Sequence, residues 1–242
     1  MSKKYKNKTC VYCVTPKSSE DGDHVVSREF FLPDKRANLP QVPACKACNN
    51  VKSQLEHYLT AVMPFAGRHA DSSSNLALMV PPRLAKNNKL RTALAQGADN
   101  IFTSRNGEPW SMEMTIPFDS KQLTSLFEYI TKGLAYYHWQ IYLPSDHLVK
   151  AVFLTGAIRE KFEGFLAHSR VRVRGNLGEG VFIYEGIQAE ECDELTVWRM
   201  SLYSAQITGD PRAPTKRCSE AYVLTAPKRM PAAVKLLEYW TS

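Results

Sequence analysis

The sequence lacks any long run of apolar residues. Hydrophobic residues make up 44% of its 242 positions, but no stretch contains the roughly 18 consecutive apolar residues that a membrane-spanning helix needs. The basic start, MSKKYKNKTC, also lacks the apolar segment that a secretory signal carries behind its charges. Internal repeats are absent as well, so a repeat architecture is not expected. These absences predict a cytoplasmic protein with no membrane partner.

Six cysteines occur in the chain, and in the cytoplasm paired cysteine motifs bind metal more often than they form disulfides. Four of them form two Cys-x-x-Cys pairs with 31 residues between, Cys10 with Cys13 and Cys45 with Cys48. Each pair presents two thiolates on a tight turn, and two pairs complete a tetrahedral zinc site. The alternatives are four unrelated buried thiols or a redox pair, although nothing in the sequence indicates an exposed thiol of low pKa. The remaining two cysteines have no such neighbours and are expected to be plain thiols.

Positive charge is concentrated near the N-terminus. The net charge is +7, and residues 1–52 contain ten Lys and Arg against five Asp and Glu. About a fifth of the chain therefore carries five of the seven excess charges. A compact basic module suggests a polyanionic partner. A solvated lysine tail is the alternative for Lys3, Lys4, Lys6 and Lys8.

The chain divides into two parts by composition. Residues 1–62 contain the two cysteine pairs, many polar residues and little apolar periodicity, so this part needs a metal to stabilise it. Residues 75–242 have the pattern of an ordinary mixed α/β domain. The stretch between them, MPFAGRHADSSSN, carries Pro, Gly and a Ser run, which predicts a linker or loop. The fold class that follows is α+β.

The second part alternates helical and strand-like patterns. Apolar residues at helical spacing, with Asp119 or Ser120 as the cap, predict a helix over 119–139. A Gly-rich turn between alternating residues predicts two strands within 171–187. The remaining predicted elements are a helix at 157–170, strands at 195–208 and 221–227, and a closing helix at 232–240.

Chemistry in the first part has to come from the segment that the cysteines enclose. A tetrahedral four-cysteine zinc is closed and has no open coordination position for a substrate. The enclosed and adjoining residues include Asp23 and His24 in a strand-like DHVV, Asn38 in a long loop, and Asn49 directly after the fourth cysteine. Asn49 alone could be no more than the cap of the helix that follows.

The order of these residue types resembles the zinc-bearing branch of the HNH, or ββα-metal, nuclease family. The residues that carry the resemblance are the four cysteines, Asp23 and His24 in DHVV, Asn38, and Asn49 in CKACNNVK, and they span roughly residues 8–60. The resemblance implies a zinc-stapled ββα-metal module at residues 1–62. The second part shows no such resemblance and would supply target recognition, dimerisation or regulation.

The family resemblance also implies a mechanism for hydrolysing DNA phosphodiester bonds. Asp23 and Asn49 would hold one catalytic divalent ion, Mg²⁺ or Mn²⁺, through hard oxygen ligands. His24 would be the general base that takes a proton from the attacking water, a task that suits an imidazole with a pKa of about 6.5. Asn38 would orient His24, although the segment between Asn38 and Cys45 looks longer than the family's usual spacing. Adjacent residues on a strand point to opposite faces, so the aspartate and the histidine require a bend.

Double-stranded DNA is the partner that this resemblance implies, with a homodimer and a role in phage defence as further expectations. Arg28, Lys46 and Lys52 lie near the expected site and would contact flanking phosphates. Arg172 and Arg174 share one face of a predicted strand, which is either a second contact surface or, as we favour, a solvent face.

Two other classes of protein compete with the nuclease hypothesis. A non-catalytic zinc-knuckle module would bind nucleic acid or protein without cutting. A zinc deaminase would share the PACKAC half of the site, but it needs a His-x-Glu pair, and HVV at 24–26 lacks the glutamate. Loss of plasmid cleavage on replacing His24 would separate the nuclease from the non-catalytic module.

Overall fold

The computed structural model describes residues 3–103, 111–154, 156–208, 217–231 and 234–235. In these ranges the chain is a mixed α+β protein, as predicted, with six α-helices and eleven strands. The helices are α1 (Lys46–Ala66), α2 (Ala70–Leu78), α3 (Val80–Lys86), α4 (Asn88–Gly97), α5 (Ser120–Trp139) and α6 (Gly156–His168). The strands are β1 (Asp21–His24), β2 (Gln41–Ala44), β3 (Asp99–Thr103), β4 (Ser111–Thr115), β5 (His147–Val152), β6 (Arg172–Leu177), β7 (Phe182–Gln188), β8 (Thr196–Leu202), β9 (Ile207–Thr208), β10 (Arg217–Cys218) and β11 (Ala221–Pro227). None of the described helices combines the length and the apolar character needed to cross a bilayer.

The N-terminal segment forms two strands followed by a helix. β1 and β2 pair antiparallel, with His24 opposite Gln41. Two short 3₁₀ turns lie between these strands. The chain then enters α1 directly, because Cys45 has extended backbone dihedrals and its Sγ accepts a hydrogen bond from the Cys48 N–H as the helix cap. The segment therefore has a β–β–α order.

A five-stranded antiparallel sheet organises the rest of the chain, in the order β5–β11–β8–β7–β6. Apolar side chains point from this sheet to both sides, so helices cover both faces. One face packs on α5, whose Leu126, Ile130 and Leu134 are buried. The other face packs on α6 through Phe162 and Leu166.

The β–β–α segment and the sheet share one hydrophobic core. Buried residues such as Val11, Val25 and Phe30 belong to the same contact cluster as Trp198 of β8. α5 lies against both, and Gly133 permits its close approach, since a Cβ there would come within 2.8 Å of Val25 Cγ1. The two parts predicted from the sequence are therefore packed against each other.

The predicted linker at residues 63–75 is wrong. α1 continues to Ala66, and α2 begins at Ala70 and contains the whole Ser run. Local composition indicated a loop, but Met63 and Asn75 are buried, so tertiary packing stabilises the helices here.

Most predicted elements of the second part are confirmed. α5 begins after Asp119, whose carboxylate accepts two backbone N–H groups as a cap. β6 and β7 form the predicted hairpin around a Gly-rich turn. The elements predicted at 157–170, 195–208 and 221–227 correspond to α6, to β8 with β9, and to β11. The helix predicted at 232–240 lies mostly outside the described residues.

Candidate metal centre and active site

Four cysteine side chains converge at the start of α1. The Sγ atoms of Cys10, Cys13, Cys45 and Cys48 lie within 4.8 Å of one another, and all four are free thiols. The Sγ atoms of Cys13 and Cys45 are 3.8 Å apart, which matches the edge of roughly 3.8 Å in a tetrahedron with Zn–S bonds of about 2.3 Å. The cluster could hold a structural metal such as zinc. In the described part of the chain it is the one group of three or more His, Cys, Asp or Glu side chains close enough to do so.

Backbone contacts position the two cysteine pairs. The N–H of Cys45 donates to Sγ of Cys10 at 3.3 Å, which joins the pairs directly. The N–H of Val11 donates to the Pro43 carbonyl at 3.0 Å, so the first pair is fixed against β2. N–H donors to sulfur favour the thiolate form that a metal requires. The main chain therefore preorganises the cluster.

α5 also contacts the first cysteine pair. The Lys132 ammonium donates to the carbonyl of Tyr12 at 3.1 Å. The Tyr129 ring lies edge-on to the Tyr12 ring, with centroids 5.1 Å apart. In a metal-bound cluster, the Lys132 ammonium would partly compensate the negative charge of the thiolates. The second part of the chain therefore supports the candidate metal centre.

Asp23 points from β1 toward α1 and is almost fully buried. Its Oδ2 accepts a hydrogen bond from the Tyr12 hydroxyl at 2.5 Å and lies 3.0 Å from Nζ of Lys52. Both contacts end on Oδ2 rather than on Oδ1. Burial, together with the Asp23 charge, raises the pKa of Tyr12 well above its usual value, so the phenol remains a donor.

Lys52 is the buried cation of the site. Its side chain is 0% exposed, and its Nζ also donates to the His24 carbonyl at 2.7 Å and contacts Glu56 Oε1 at 2.5 Å. The predicted contact between Lys52 and a DNA phosphate does not agree with this placement, because the ammonium group has no access to the surface. Burial raises the pKa of Glu56, against the lowering effect of the Lys52 charge.

His24 is the last residue of β1, and the chain bends immediately after it at Val25 and Val26. Its ring is half-buried, and its Nε2 lies 2.8 Å from Nε2 of Gln41, its partner across the β1–β2 ladder. If the Gln41 amide N–H donates to Nε2 of His24, the ring proton is on Nδ1. If the Gln41 amide is flipped, so that its oxygen accepts the proton of Nε2, Nδ1 is the nitrogen that can act as the base. Burial lowers the pKa of His24 more than the Asp23 charge raises it, so the imidazole is uncharged at neutral pH.

Asp23 and His24 leave β1 toward opposite faces, as adjacent residues of a strand do. Asp23 faces α1 and Lys52, whereas His24 faces Gln41. The chain bends only after His24, so the bend that was expected to bring Asp23 and His24 to one phosphate does not lie between them.

Asn49 lies in the first turn of α1 and is half-buried. It is not the helix cap, since Cys45 fills that position. Lys52 follows it by three residues, so the two side chains project from neighbouring positions on one side of α1. Lys52 contacts Asp23 from that side, so Asn49 lies about one helical turn before the residue that reaches β1.

Asn38 is exposed at the turn that precedes β2 and has a φ of +56°. Asparagine tolerates this left-handed conformation better than most residues, so the turn accounts for its presence. The contact with the His24 ring that was expected of Asn38 is made by Gln41 instead.

Arg28 and Lys46 are exposed, as a contact with DNA requires. Arg28 lies close enough to His24 for its charge to lower the pKa of the imidazole. Lys46 is the first residue of α1, directly beside the cysteine cluster. Arg28 therefore lies near the end of β1, whereas Lys46 follows the end of β2 that pairs with Asp21 at the start of β1.

Arg172 and Arg174 share one face of β6, as predicted. Both contact the carboxylate of Glu185, at 3.3 Å and 2.9 Å respectively. Glu185 is buried, so these arginines compensate a charge within the sheet. This arrangement favours the interpretation of a solvent face over that of a DNA-binding surface.

Sequence reasoning missed Tyr12 and Gln41. The position of Glu56 two helical turns beyond Asn49 makes it a candidate auxiliary metal ligand, and the structure places its carboxylate on Lys52. The contact of Gln41 with His24 can be inferred only from the β1–β2 register, which places the two residues opposite each other. Glu56 follows Lys52 by four residues, a spacing that pairs opposite charges on a helix, and this signal was present in the sequence. Apart from its position between Cys10 and Cys13, nothing in the sequence indicates that Tyr12 contacts the site.

Comparison with known proteins finds no relative of this chain. No protein-family model matches the chain, and no curated protein or solved structure shows a significant match to it. The candidate site therefore rests on the residues and contacts given above.

Proposed function

We propose that the chain is a metal-dependent HNH endonuclease that hydrolyses phosphodiester bonds of double-stranded DNA. The observation that carries this proposal is the β–β–α arrangement, which combines the four-cysteine cluster with His24 at the end of β1 and Asn49 in the first turn of α1. An uncharged, half-buried imidazole at a strand end is suited to accept a proton from water.

Zinc is the metal that we propose for the cysteine cluster, because four thiolates in tetrahedral array are typical of structural zinc. Its role is to hold β2 and the start of α1 against the first cysteine pair. A closed site of this kind offers no position for a substrate, so zinc has no direct part in the reaction.

We propose that a hard divalent cation such as Mg²⁺ or Mn²⁺ would bind to oxygen donors of Asp23 and Asn49. Asp23 would offer Oδ1 and Asn49 its amide oxygen, and a cation held by so few protein ligands keeps several waters. When bound, the ion supplies Lewis-acid stabilisation of the charge on the leaving 3′ oxygen. The ammonium of Lys52, 3.0 Å from Oδ2 of Asp23, opposes a second cation, so we expect low affinity.

The side chains of the site then have separate tasks. His24 accepts the proton of the attacking water, and Gln41 fixes the plane of its ring through the 2.8 Å contact. Arg28 and Lys46 contact flanking phosphates, which positions DNA without reading its sequence.

A non-catalytic zinc module that binds nucleic acid is the second candidate. It is favoured by the contacts of Asp23, whose Oδ2 is already engaged by Tyr12 and Lys52. In that case the exposed cations around the cysteine cluster would bind phosphate, and the imidazole would have no reaction to perform.

Plasmid cleavage distinguishes the two candidates. We expect the wild type to cut supercoiled DNA with Mg²⁺ or Mn²⁺, and His24→Ala to lose at least about 100-fold in rate while still binding DNA. His57→Ala is the matched control, since His57 is exposed on α1 and its replacement should leave the rate unchanged. Binding without cleavage by the wild type, with every divalent ion tested, would favour the non-catalytic module. A His24→Ala variant that cuts at the wild-type rate would exclude His24 as the general base.

A further inference from the structure

Lys52 joins three different parts of the candidate site. Its Nζ lies 2.7 Å from the main-chain oxygen of His24, 3.0 Å from Oδ2 of Asp23 and 2.5 Å from Oε1 of Glu56. A lysine ammonium has three N–H donors, and each of these oxygens can accept one. A single buried atom therefore contacts the main chain of β1, a side chain of β1 and a side chain of α1.

Full burial of a lysine is rare unless the ammonium group is paired, because its removal from water is costly. The two carboxylates and the carbonyl satisfy the group within the fold. A rotamer that reached solvent would lose all three contacts and leave the Asp23 and Glu56 carboxylates without the cation that balances their charge. Lys52 therefore acts inside the protein rather than on DNA.

We propose that Lys52 is a positioning residue, which ties the end of β1 to α1 and thereby sets the place of the His24 imidazole relative to Asp23 and Asn49. This inference rests on the proposed nuclease function, because the placement matters to a reaction at that site. His24 is held through its main chain and Asp23 through its side chain, while Glu56 anchors the ammonium group one turn further along α1.

Replacement of Lys52 by methionine retains most of the side-chain length and removes the charge. We expect Lys52→Met to reduce the single-turnover cleavage rate about 10- to 100-fold, as loss of an orienting contact typically does. The dissociation constant for DNA and its salt dependence should not change. Lys89→Met is the matched control, because Lys89 is exposed on α4, and it should cleave at the wild-type rate.

A phosphate-contacting lysine would behave in the opposite way. Its loss weakens DNA binding and makes the negative slope of log K against log salt concentration shallower by about 0.9. Lys46→Met, at the exposed start of α1, provides the reference for that pattern. If Lys52→Met shows weaker, less salt-dependent binding with an unchanged single-turnover rate, the inference is wrong.

Loss of Lys52 alone leaves Asp23 and Glu56 as two uncompensated buried carboxylates, which could unfold the segment. The double variant Lys52→Met/Glu56→Gln removes one charge of each sign and keeps the net charge of the cluster. We expect it to fold, to retain its metal and to cleave as slowly as the single variant. Recovery of the wild-type rate would show that Lys52 only balances charge and would overturn the inference.

An NMR measurement tests the contact independently of cleavage. The imidazole ¹³C–¹H signals of His24, assigned with His24→Ala, should shift in the double variant, while those of His147 on β5 should not. Unshifted His24 signals would overturn the positioning role even if the wild type cuts DNA. Absence of cleavage by the wild type would refute the nuclease function. The His24 signals do not depend on cleavage, so they would still show whether Lys52 positions the imidazole.

Discussion

At the residue scale, Gln41 is the side chain that fixes the orientation of the His24 imidazole. The two residues face each other across the β1–β2 ladder, with their Nε2 atoms 2.8 Å apart. A general base works only when its ring presents the correct nitrogen, and the hydrogen bond to the other nitrogen determines which one that is. The amide of Gln41 is thus part of the proposed active site, in the role that was expected of Asn38.

Replacing Gln41 with leucine should lower the single-turnover cleavage rate about 10-fold, because the imidazole loses the contact that orients it. DNA affinity, measured by fluorescence anisotropy, should stay at the wild-type value. Gln54→Leu is the control, since Gln54 is exposed on α1. A Gln41→Leu variant that retained the full rate would show that the strand ladder alone positions His24.

At the same scale, some features of the candidate site could be predicted from the sequence and others could not. The four-cysteine cluster was predictable, because metal ligands follow from residue type and spacing. The burial of Lys52 was not, since a lysine in a basic segment is typical of a solvated surface, and only the fold brings Asp23 and Glu56 around it. Asn38 was misleading because its backbone conformation, rather than its side chain, accounts for its presence.

At the scale of elements, α5 is the helix that joins the sheet to the candidate metal centre. Its Tyr129 and Lys132 contact the first cysteine pair. Its His138 contacts the sheet, with Nε2 2.9 Å from the Tyr184 hydroxyl. Burial lowers the pKa of His138, and the hydroxyl of Tyr184 can donate only to an uncharged imidazole. The packing of α5 on the sheet therefore favours a neutral histidine.

This lowered pKa makes the stability of the α5–sheet contact depend on pH. Between the pKa of folded His138 and the unfolded value of about 6.5, the unfolded chain binds more protons than the folded one, so the free energy of unfolding decreases as the pH falls. We expect the wild type to lose more stability than His138→Gln between about pH 7.5 and about pH 5.5 in urea denaturation. Titration of the thiols and of His24 is common to both proteins and cancels in the difference. Equal losses in the two proteins would contradict this assignment.

Elements were predictable where one pattern dominated the local sequence. α5 and the β6–β7 hairpin follow from apolar periodicity and from a Gly-rich turn. The segment at 63–75 was not predictable, because Pro, Gly and Ser favour a loop locally while burial of Met63 and Asn75 stabilises helix. Tertiary packing outweighs propensity differences of this size.

At the scale of the whole molecule, one hydrophobic core spans both predicted parts of the chain. Val11 and Val25 from the first part share it with Trp198 from the sheet. A metal centre that stabilises the first part should therefore stabilise the second part as well. Such coupling distinguishes one cooperative unit from two domains that unfold separately.

Metal removal should lower the melting temperature reported by tryptophan fluorescence. All four tryptophans lie beyond residue 75, so the signal originates from residues of the second part. In a chain of this size each kcal/mol of lost stability lowers the melting temperature by about 2–4 °C, and we expect a decrease of several degrees with a chelator or in Cys48→Ser. Cys192→Ser is the control, because Cys192 lies outside the cluster. A fluorescence transition that metal loss does not change would indicate two independent domains.

The most direct test of the account is to locate both metals in crystals grown with Mn²⁺. Anomalous scattering at the zinc edge should give one peak among the four cysteines, and scattering at the manganese edge should give another about 2 Å from oxygens of Asp23 and Asn49. The His24 imidazole should face the manganese. A map without manganese beside Asp23, or with the imidazole turned away from the Asn49 amide, would contradict the claim that a metal-held β–β–α segment builds a hydrolytic site.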